Sequence, residues 1–293
     1  MREAPMGQEQ TFIRVFGERN TGTRALLLML EAQKTVITRQ VAVRKIYDRP
    51  ENAGLRAQIS QSFDLPWRRI YSDAIRDMEH TDLCPTQMWK HTAIRWDTVF
   101  AAKKAHVVFA VRNPYSWFIS LAKNPYHIFG LRPETLAAFA TQPWMTQLRD
   151  NLAPVLPSPM ALWQQKNTAY QAFQARAEVP VTVIRFEDFV ADTVGEITRV
   201  LDGFGVAHEN IRDIAGSTKE DGQSLQEITA FYAREGWKSR LTSGLVQIIN
   251  EQIDWDLAAK YGYTPLSPVD FPDRLSKETI NEIRVEMGFK PLP

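Results

Sequence analysis

Cysteine is almost missing from this sequence. Cys84 is the single one in 293 residues, so no disulfide can close within the chain. It reads as a buried structural thiol in a reducing compartment rather than as a nucleophile. Long apolar runs are missing too: the longest, residues 25–30, has six residues, against the roughly 20 that a membrane-spanning helix needs. The opening MREAPMGQEQ has no apolar core of the signal-peptide kind. Charge of one sign is not in excess either, since 35 Lys and Arg face 34 Asp and Glu, which removes any global attraction to nucleic acid or to a membrane surface. Repeats, low-complexity tracts and dense clusters of carboxylates and histidines for a metal are likewise lacking. These absences lead us to expect a soluble, cytoplasmic protein without a metal, folded as one domain over 1–293.

What is present centres on residues 11–30, TFIRVFGERNTGTRALLLML. Phe12, Ile13, Val15 and Phe16 form an apolar run of strand length, residues 17–22 make a polar turn bounded by Gly17 and Gly22, and residues 25–30 are strong helix formers. A strand, a glycine-bounded loop and a helix form a phosphate-binding arrangement. The first helical turn has backbone N–H groups without intrahelical partners, and the peptide dipoles add positive potential there. Gly22 allows close approach to the backbone, Thr21 and Thr23 offer hydroxyls, and Arg19 and Arg24 offer charge. The spacing of Gly17 and Gly22 is that of the nucleotide-hydrolase loop, but Thr23-Arg24 stands where Lys-Ser/Thr is required. A magnesium nucleotide is therefore not the natural ligand. A plain strand-to-helix turn is the competing reading of this stretch alone.

Further along, residues 36–47 alternate as one or two strands, 34–69 is locally basic with eight Lys and Arg, and 70–79 has a helical pattern. The basic stretch reads as a solvated surface, or as a contact for an anionic acceptor. Lys90 and His91 end a semi-apolar run, where α/β proteins place reactive side chains. The run HVVFAV, residues 106–111, is the clearest buried parallel strand. It leads into Arg112, Asn113 and Pro114, then a helix with Trp117, Phe118 and Leu121 on one face and Ser120 eight residues after the arginine. Residues 124–163 hold six prolines with Tyr126, Phe129, Phe139, Trp144 and Trp163. They suit an acceptor-side insertion with an aromatic cleft, and equally a packed cap over the sheet. Helices are predicted over 160–177, 190–204, 245–261 and 276–287, the last within a tail of 264–293.

Arg-Asn-Pro after an apolar strand, with a serine eight residues on, resembles the 3′-phosphate motif of sulfotransferases that use 3′-phosphoadenosine 5′-phosphosulfate (PAPS). GERNTGTRALLLML is similar to their 5′-phosphosulfate loop, above all in heparan-type and bacterial members, and Lys90-His91 resembles the Lys-Thr-His stretch of the cytosolic enzymes. VTVIRFEDF, 181–189, resembles a later strand of the family, and Tyr232, Arg234, Gly236, Trp237 and Lys238 resemble the segment that closes over the 3′-phosphate. The resemblance runs in order from residue 12 to 263, with one departure: the Lys or Arg usual two residues before Gly22 is Asn20 here.

The resemblance implies a three-layer α/β/α fold with a mainly parallel sheet, PAPS as donor and adenosine 3′,5′-bisphosphate (PAP) as product. His91 would be the general base, with Lys90 and Arg19 beside the transferred group. Arg19, Asn20, Thr21, Gly22, Thr23 and Arg24 would hold the phosphosulfate; Arg112, Ser120, Arg234, Gly236 and Lys238 would hold the 3′-phosphate end, with Ser217 and Thr218 nearby. The acceptor would be a hydroxylated molecule, a carbohydrate first and a small phenol or alcohol second. A degenerate kinase using magnesium ATP and an inactive nucleotide-binding module remain as alternatives.

Overall fold

Side chains alternate between the two faces of a strand, so a strand apolar on both faces requires cover on both. The central strand shows this in the computed structural model, which describes residues 10–38, 50–62, 64, 68, 70–75, 77, 89–95, 105–126, 133–214, 216 and 222–293. Strands β1 (Thr11–Gly17), β2 (Val36–Ile37) and β3 (His106–Val111) are followed by a two-residue hairpin, β4 (Trp144–Met145) and β5 (Val155–Leu156), and by β6 (Val181–Arg185). The main sheet is parallel in the order β2-β1-β3-β6, with Ile13 opposite His106 and Val107 opposite Val181. Val107, Phe109 and Val111 pack into one apolar cluster, while Val108 and Ala110 pack into another on the opposite face.

Helix α1 (Thr23–Glu31) and the Thr193–Gly203 helix cover the second face, through Leu26, Leu30, Ile197 and Leu201. Helices Pro114–Lys123, Pro159–Arg176 and Ser243–Gln252 cover the first, through Trp117, Phe118, Trp163, Tyr170 and Ile249. The expected three-layer α/β/α arrangement is therefore the one observed. Because β2 lies on one side of β1 and β3 on the other, the strand order reverses there, which opens a crevice beyond Gly17 and Val111.

Several boundaries differ from expectation. The 190–204 helix is two helices, Phe186–Ala191 and Thr193–Gly203, because the Asp192 carboxylate accepts from the Gly195 amide at 2.8 Å and starts a new N-terminus. The 245–261 helix breaks in the same way: Asp254 caps Trp255–Ala259 by accepting from the Asp256 and Leu257 amides. In 181–189 the strand stops at Arg185. The tail is docked through Ile283 and Met287, which are buried, and Ser276 caps the Lys277–Glu286 helix. Of the 124–163 aromatics, Phe139, Trp144 and Trp163 are buried in the main cluster. Residues 70–75 are helical. Cys84, Phe129, Ser217, Thr218 and all of 39–49 lie outside the described residues.

The end of β1 is tightly enclosed. A Cβ on Gly17 would stand 2.6 Å from the Ala110 carbonyl oxygen and 2.8 Å from Thr23 Cγ2. Gly17→Ala is expected to lower stability by about 1–3 kcal/mol through overpacking, read as a lower urea midpoint; an unchanged midpoint would mean a looser strand end.

Candidate active site

The loop after β1 turns on two left-handed residues, Asn20 (φ 67°) and Gly22 (φ 81°). A side chain at Gly22 would be strained in that backbone and would also press on Phe186, 3.1 Å away. Helix α1 then starts with no side-chain cap and no acid in its first turn. The helix start and the positive end of its dipole therefore stand at the crevice, which Thr23, Arg24 and Ala25 line. The Arg19 guanidinium lies over the rings of Tyr126 (3.7 Å) and Trp89 (4.6 Å). Arg19 Nη1 and Asn20 Nδ2 are buried donors with no hydrogen-bond partner among the described residues. Thr21 departs from the sequence reading. Its hydroxyl donates to the Glu18 carbonyl at 2.6 Å and its amide to the same oxygen at 3.3 Å, so both groups brace the loop and Thr21 does not line the cleft.

Lys90 and His91 sit in a turn rather than at the end of a sheet strand. The backbone nevertheless brings them to the strand end: the Gly17 N–H donates to the Lys90 carbonyl at 2.9 Å, and His91 Nδ1 donates to the Gly17 carbonyl at 2.6 Å. That bond fixes the neutral tautomer with Nε2 bare. Burial, then the charges of Lys90 and Arg19, push the His91 pKa well below its usual value, against the opposing Gly17 hydrogen bond. Burial, then Arg24 and Arg19, lower Lys90 to about 8, with Glu31 opposing.

Arg112 follows β3 and is buried. Its Nη1 donates to the Asn20 carbonyl (2.6 Å), its Nε to Ser116 Oγ (3.0 Å), and its Nη2 to the Ser116 carbonyl (3.0 Å) and to the Tyr232 hydroxyl. Phe186 and Tyr232 flank the guanidinium. The indoles of Trp117 and Trp163 donate to the Arg19 and Arg112 carbonyls, each at 2.9 Å, and anchor both loops.

These pieces enclose a cleft of about 430 Å³. Arg19, Asn20, Gly22, Thr23, Arg24, Lys90, His91, Arg112 and Ser120 line it, together with Phe186, Phe189, Gln223, Ile228 and Tyr232. Among the described lining residues none is acidic. Most residues singled out from sequence thus come together, but Arg234, Gly236 and Lys238 do not line the cleft. Lys238 pairs with Glu235 at its own helix spacing, and Gly236 packs against Phe231. From that segment it is Tyr232 that reaches the site. Among the described residues no group of three or more His, Cys, Asp or Glu gathers as a metal centre, and no helix is long and apolar enough to cross a membrane.

The sequence reading passed over the layer beneath the cleft, formed by Glu18, Asp150 and Lys166, all buried. One signal was available. Met160, Trp163, Lys166, Tyr170 and Phe173 recur at helical spacing, which places a lysine in the middle of an apolar stripe.

No family model matches the chain, and no curated protein matches it in sequence. Among solved structures it is similar to the sulfotransferase domain from the Synechococcus PCC 7002 olefin synthase, with a TM-score of 0.40 and 13% identity, over 90% of this chain and 99% of that one.

The state of His91 makes a pH prediction. Its pKa is lower folded than unfolded, so below about 6.5 the unfolded chain takes up a proton that the folded chain refuses. This contribution is present above that pH and is lost as pH falls, with a slope of at most about 1.4 kcal/mol per pH unit. Urea unfolding at pH 7.5, 6.5 and 5.5 should show a steeper loss in the parent than in His91→Gln. Equal slopes would mean that His91 protonates freely in the folded protein.

Proposed function

We propose that the chain is a sulfotransferase that moves a sulfuryl group from PAPS to an acceptor hydroxyl, on a carbohydrate or another hydroxylated molecule. The observation that carries this reading is the cleft wall: an uncapped helix start, Arg19, Arg24, Lys90 and Arg112 surround a neutral imidazole, with no acidic residue among the described lining residues. Such a wall suits a polyanion. The orphaned donors Arg19 Nη1 and Asn20 Nδ2 fit a ligand rich in acceptor oxygens. The ordered motifs from residue 12 onward support a phosphosulfate at one end and a second phosphate near Arg112 and Ser120.

Bound there, the donor would supply an activated sulfuryl group, whose bond to the 5′-phosphate oxygen breaks as the acceptor oxygen bonds to sulfur. Nε2 of His91, left bare by the Gly17 bond, accepts the hydroxyl proton. Its lowered pKa keeps it unprotonated beside the cations, and an arriving anion restores basicity by offsetting their charge. Lys90, Arg19 and the first N–H groups of α1 stabilise the charge that develops on the leaving oxygen. Arg24 lines the outer edge. Arg112 has one Nη1 hydrogen beyond its four protein bonds and, with Ser120, would bind the 3′-phosphate. A kinase using magnesium ATP has less support, because the described lining residues offer no carboxylate for the metal and Thr23 replaces the phosphate-reaching lysine.

PAP should raise the melting temperature, and magnesium ATP should not; a site-specific ligand at a hundredfold excess over its Kd stabilises by about 2.7 kcal/mol. His91→Ala is expected to keep PAP binding while losing turnover about 10²- to 10⁴-fold. Stabilisation by magnesium ATP alone would put the kinase reading first.

Lys90 adds a pH signature. An anion in the cleft raises its pKa from about 8, so binding takes up a proton and PAP affinity falls as pH rises through that value. Phosphate groups, with a second pKa of about 6, are already ionised in this range. Calorimetric titration at pH 7 and 9 should show weaker binding at the higher pH in the parent and little change in Lys90→Gln. A flat parent profile would remove Lys90 from the contact.

A further inference from the structure

Lys166 is fully buried, at 0% relative exposure, in the middle of the Pro159–Arg176 helix. Its ammonium donates to Asp150 Oδ1 at 2.7 Å and to the His91 carbonyl, and lies 3.4 Å from Glu18 Oε2. Two of its N–H groups make hydrogen bonds and the Glu18 contact is an ion pair without one, and the three partners sit on different segments beneath the cleft. Glu18 Oε1 accepts from the Arg19 amide at 2.6 Å, which ties that corner to the phosphate loop. The Asp150 carbonyl accepts from the Ala93 amide at 2.8 Å, and its Oδ2 from the Gln147 amide at 2.8 Å, which ties the second corner to the residues just after His91. The third corner is the carbonyl of His91 itself.

A methionine would continue the stripe of Trp163, Tyr170 and Phe173 without taking a charge out of water. A buried ion pair gives little net stability over an apolar replacement, so stability alone does not account for a lysine here. We propose that Lys166 is a positioning residue of the candidate active site: its ammonium fixes the Lys90–His91 turn against the Glu18–Arg19 loop and so sets where His91 Nε2 stands relative to the start of α1. The role of those two groups in transfer rests on the sulfotransferase reading; the three-way tie does not.

The experiment uses full-length protein labelled with ¹⁵N-histidine, which gives five imidazoles, with His91 assigned by its absence in H91Q. In the parent the His91 ring is expected as the fixed Nδ1–H tautomer. The variant K166M/D150N removes the ammonium and its closest counter-charge together. It should fold by circular dichroism and still bind PAP, yet show a His91 ring that exchanges between tautomers and titrates between about pH 5 and 8. Its kcat should fall about a hundredfold, with the donor KM within about threefold of the parent. Unchanged His91 resonances and kcat in the folded variant would overturn the proposal. If K166M/D150N does not fold, K166R keeps the charge but changes the donor geometry; displaced His91 signals then support the proposal and unmoved signals overturn it. A parent that neither binds PAP nor transfers sulfate would defeat the sulfotransferase reading, while the His91 spectra would still decide the role of Lys166.

Discussion

The site depends on a two-point backbone clamp at Gly17. Its N–H donates to the Lys90 carbonyl and its own carbonyl accepts from His91 Nδ1, so one residue at the end of β1 binds the turn that carries the candidate base. The same residue begins the loop that leads to α1. The glycine-bounded loop and the imidazole are thus referenced to one peptide unit, and the parallel pairing of β1 with β3 extends that reference to Arg112. Only glycine fits, since a Cβ would overlap the Ala110 carbonyl and the Thr21 and Thr23 side chains. Close packing at the strand end therefore excludes a side chain and shortens the distance across the clamp.

Above the clamp the described charges are of one sign, and below it charges of both signs meet. The cleft gathers Arg19, Arg24, Lys90 and Arg112, and burial, then repulsion from neighbouring cations, lowers Lys90 and His91. Two buried donors there have no protein acceptor among the described residues, and leaving such a group unmet costs about 1–3 kcal/mol. In the layer beneath, Lys166 is surrounded by Asp150, Glu18 and a carbonyl. Burial alone would raise Asp150, but Lys166 and Arg19, with hydrogen bonds from Lys166 and the Gln147 amide, hold it below the ordinary carboxylate range. An anion entering the cleft thus meets a surface that already carries the cost of its absence, on a base that does not need to move.

Periodicity carried the sheet, and motifs carried most of the residues that line the cleft. The HVVFAV run marked the central strand, because a strand covered on both faces must be apolar throughout. Gly17, Gly22 and the Arg-Asn-Pro turn marked the loops, because steric demands on backbone are written in residue type. Features that depend on tertiary partners were harder to see. Whether Thr21 offers its hydroxyl to a ligand or to Glu18 is decided by loop geometry, and both choices read alike in sequence. Arg234 and Lys238 share a segment with Tyr232, yet the turn at Glu235, with φ at 50°, leaves only the tyrosine among them on the cleft wall. The helix breaks at Asp192 and Asp254 were legible in principle, since an aspartate inside an apolar periodic run favours an N-cap over helix interior.

The wall stays positive because nearby carboxylates are occupied elsewhere. Glu18 is bound to the Arg19 amide, Tyr126 and Lys166, so the acid next to the phosphate loop is spent on the layer below. Glu187, which follows β6, accepts from the Asn113 amide at 3.0 Å, from Ser116 Oγ at 3.3 Å and from the Tyr263 hydroxyl at 2.8 Å. Its oxygens thereby hold the turn that carries Arg112, and it does not line the cleft. Arg112 completes the division from the other side, with a planar guanidinium whose several donors join Asn20, Ser116 and Tyr232 while it lies close to the Phe186 and Tyr232 rings. A lysine would offer a point charge without that fork and could not bridge the same partners. Both acids act through backbone amides and hydroxyls that position the cations, so the negative charge of this region goes into holding the positive charge in place rather than cancelling it.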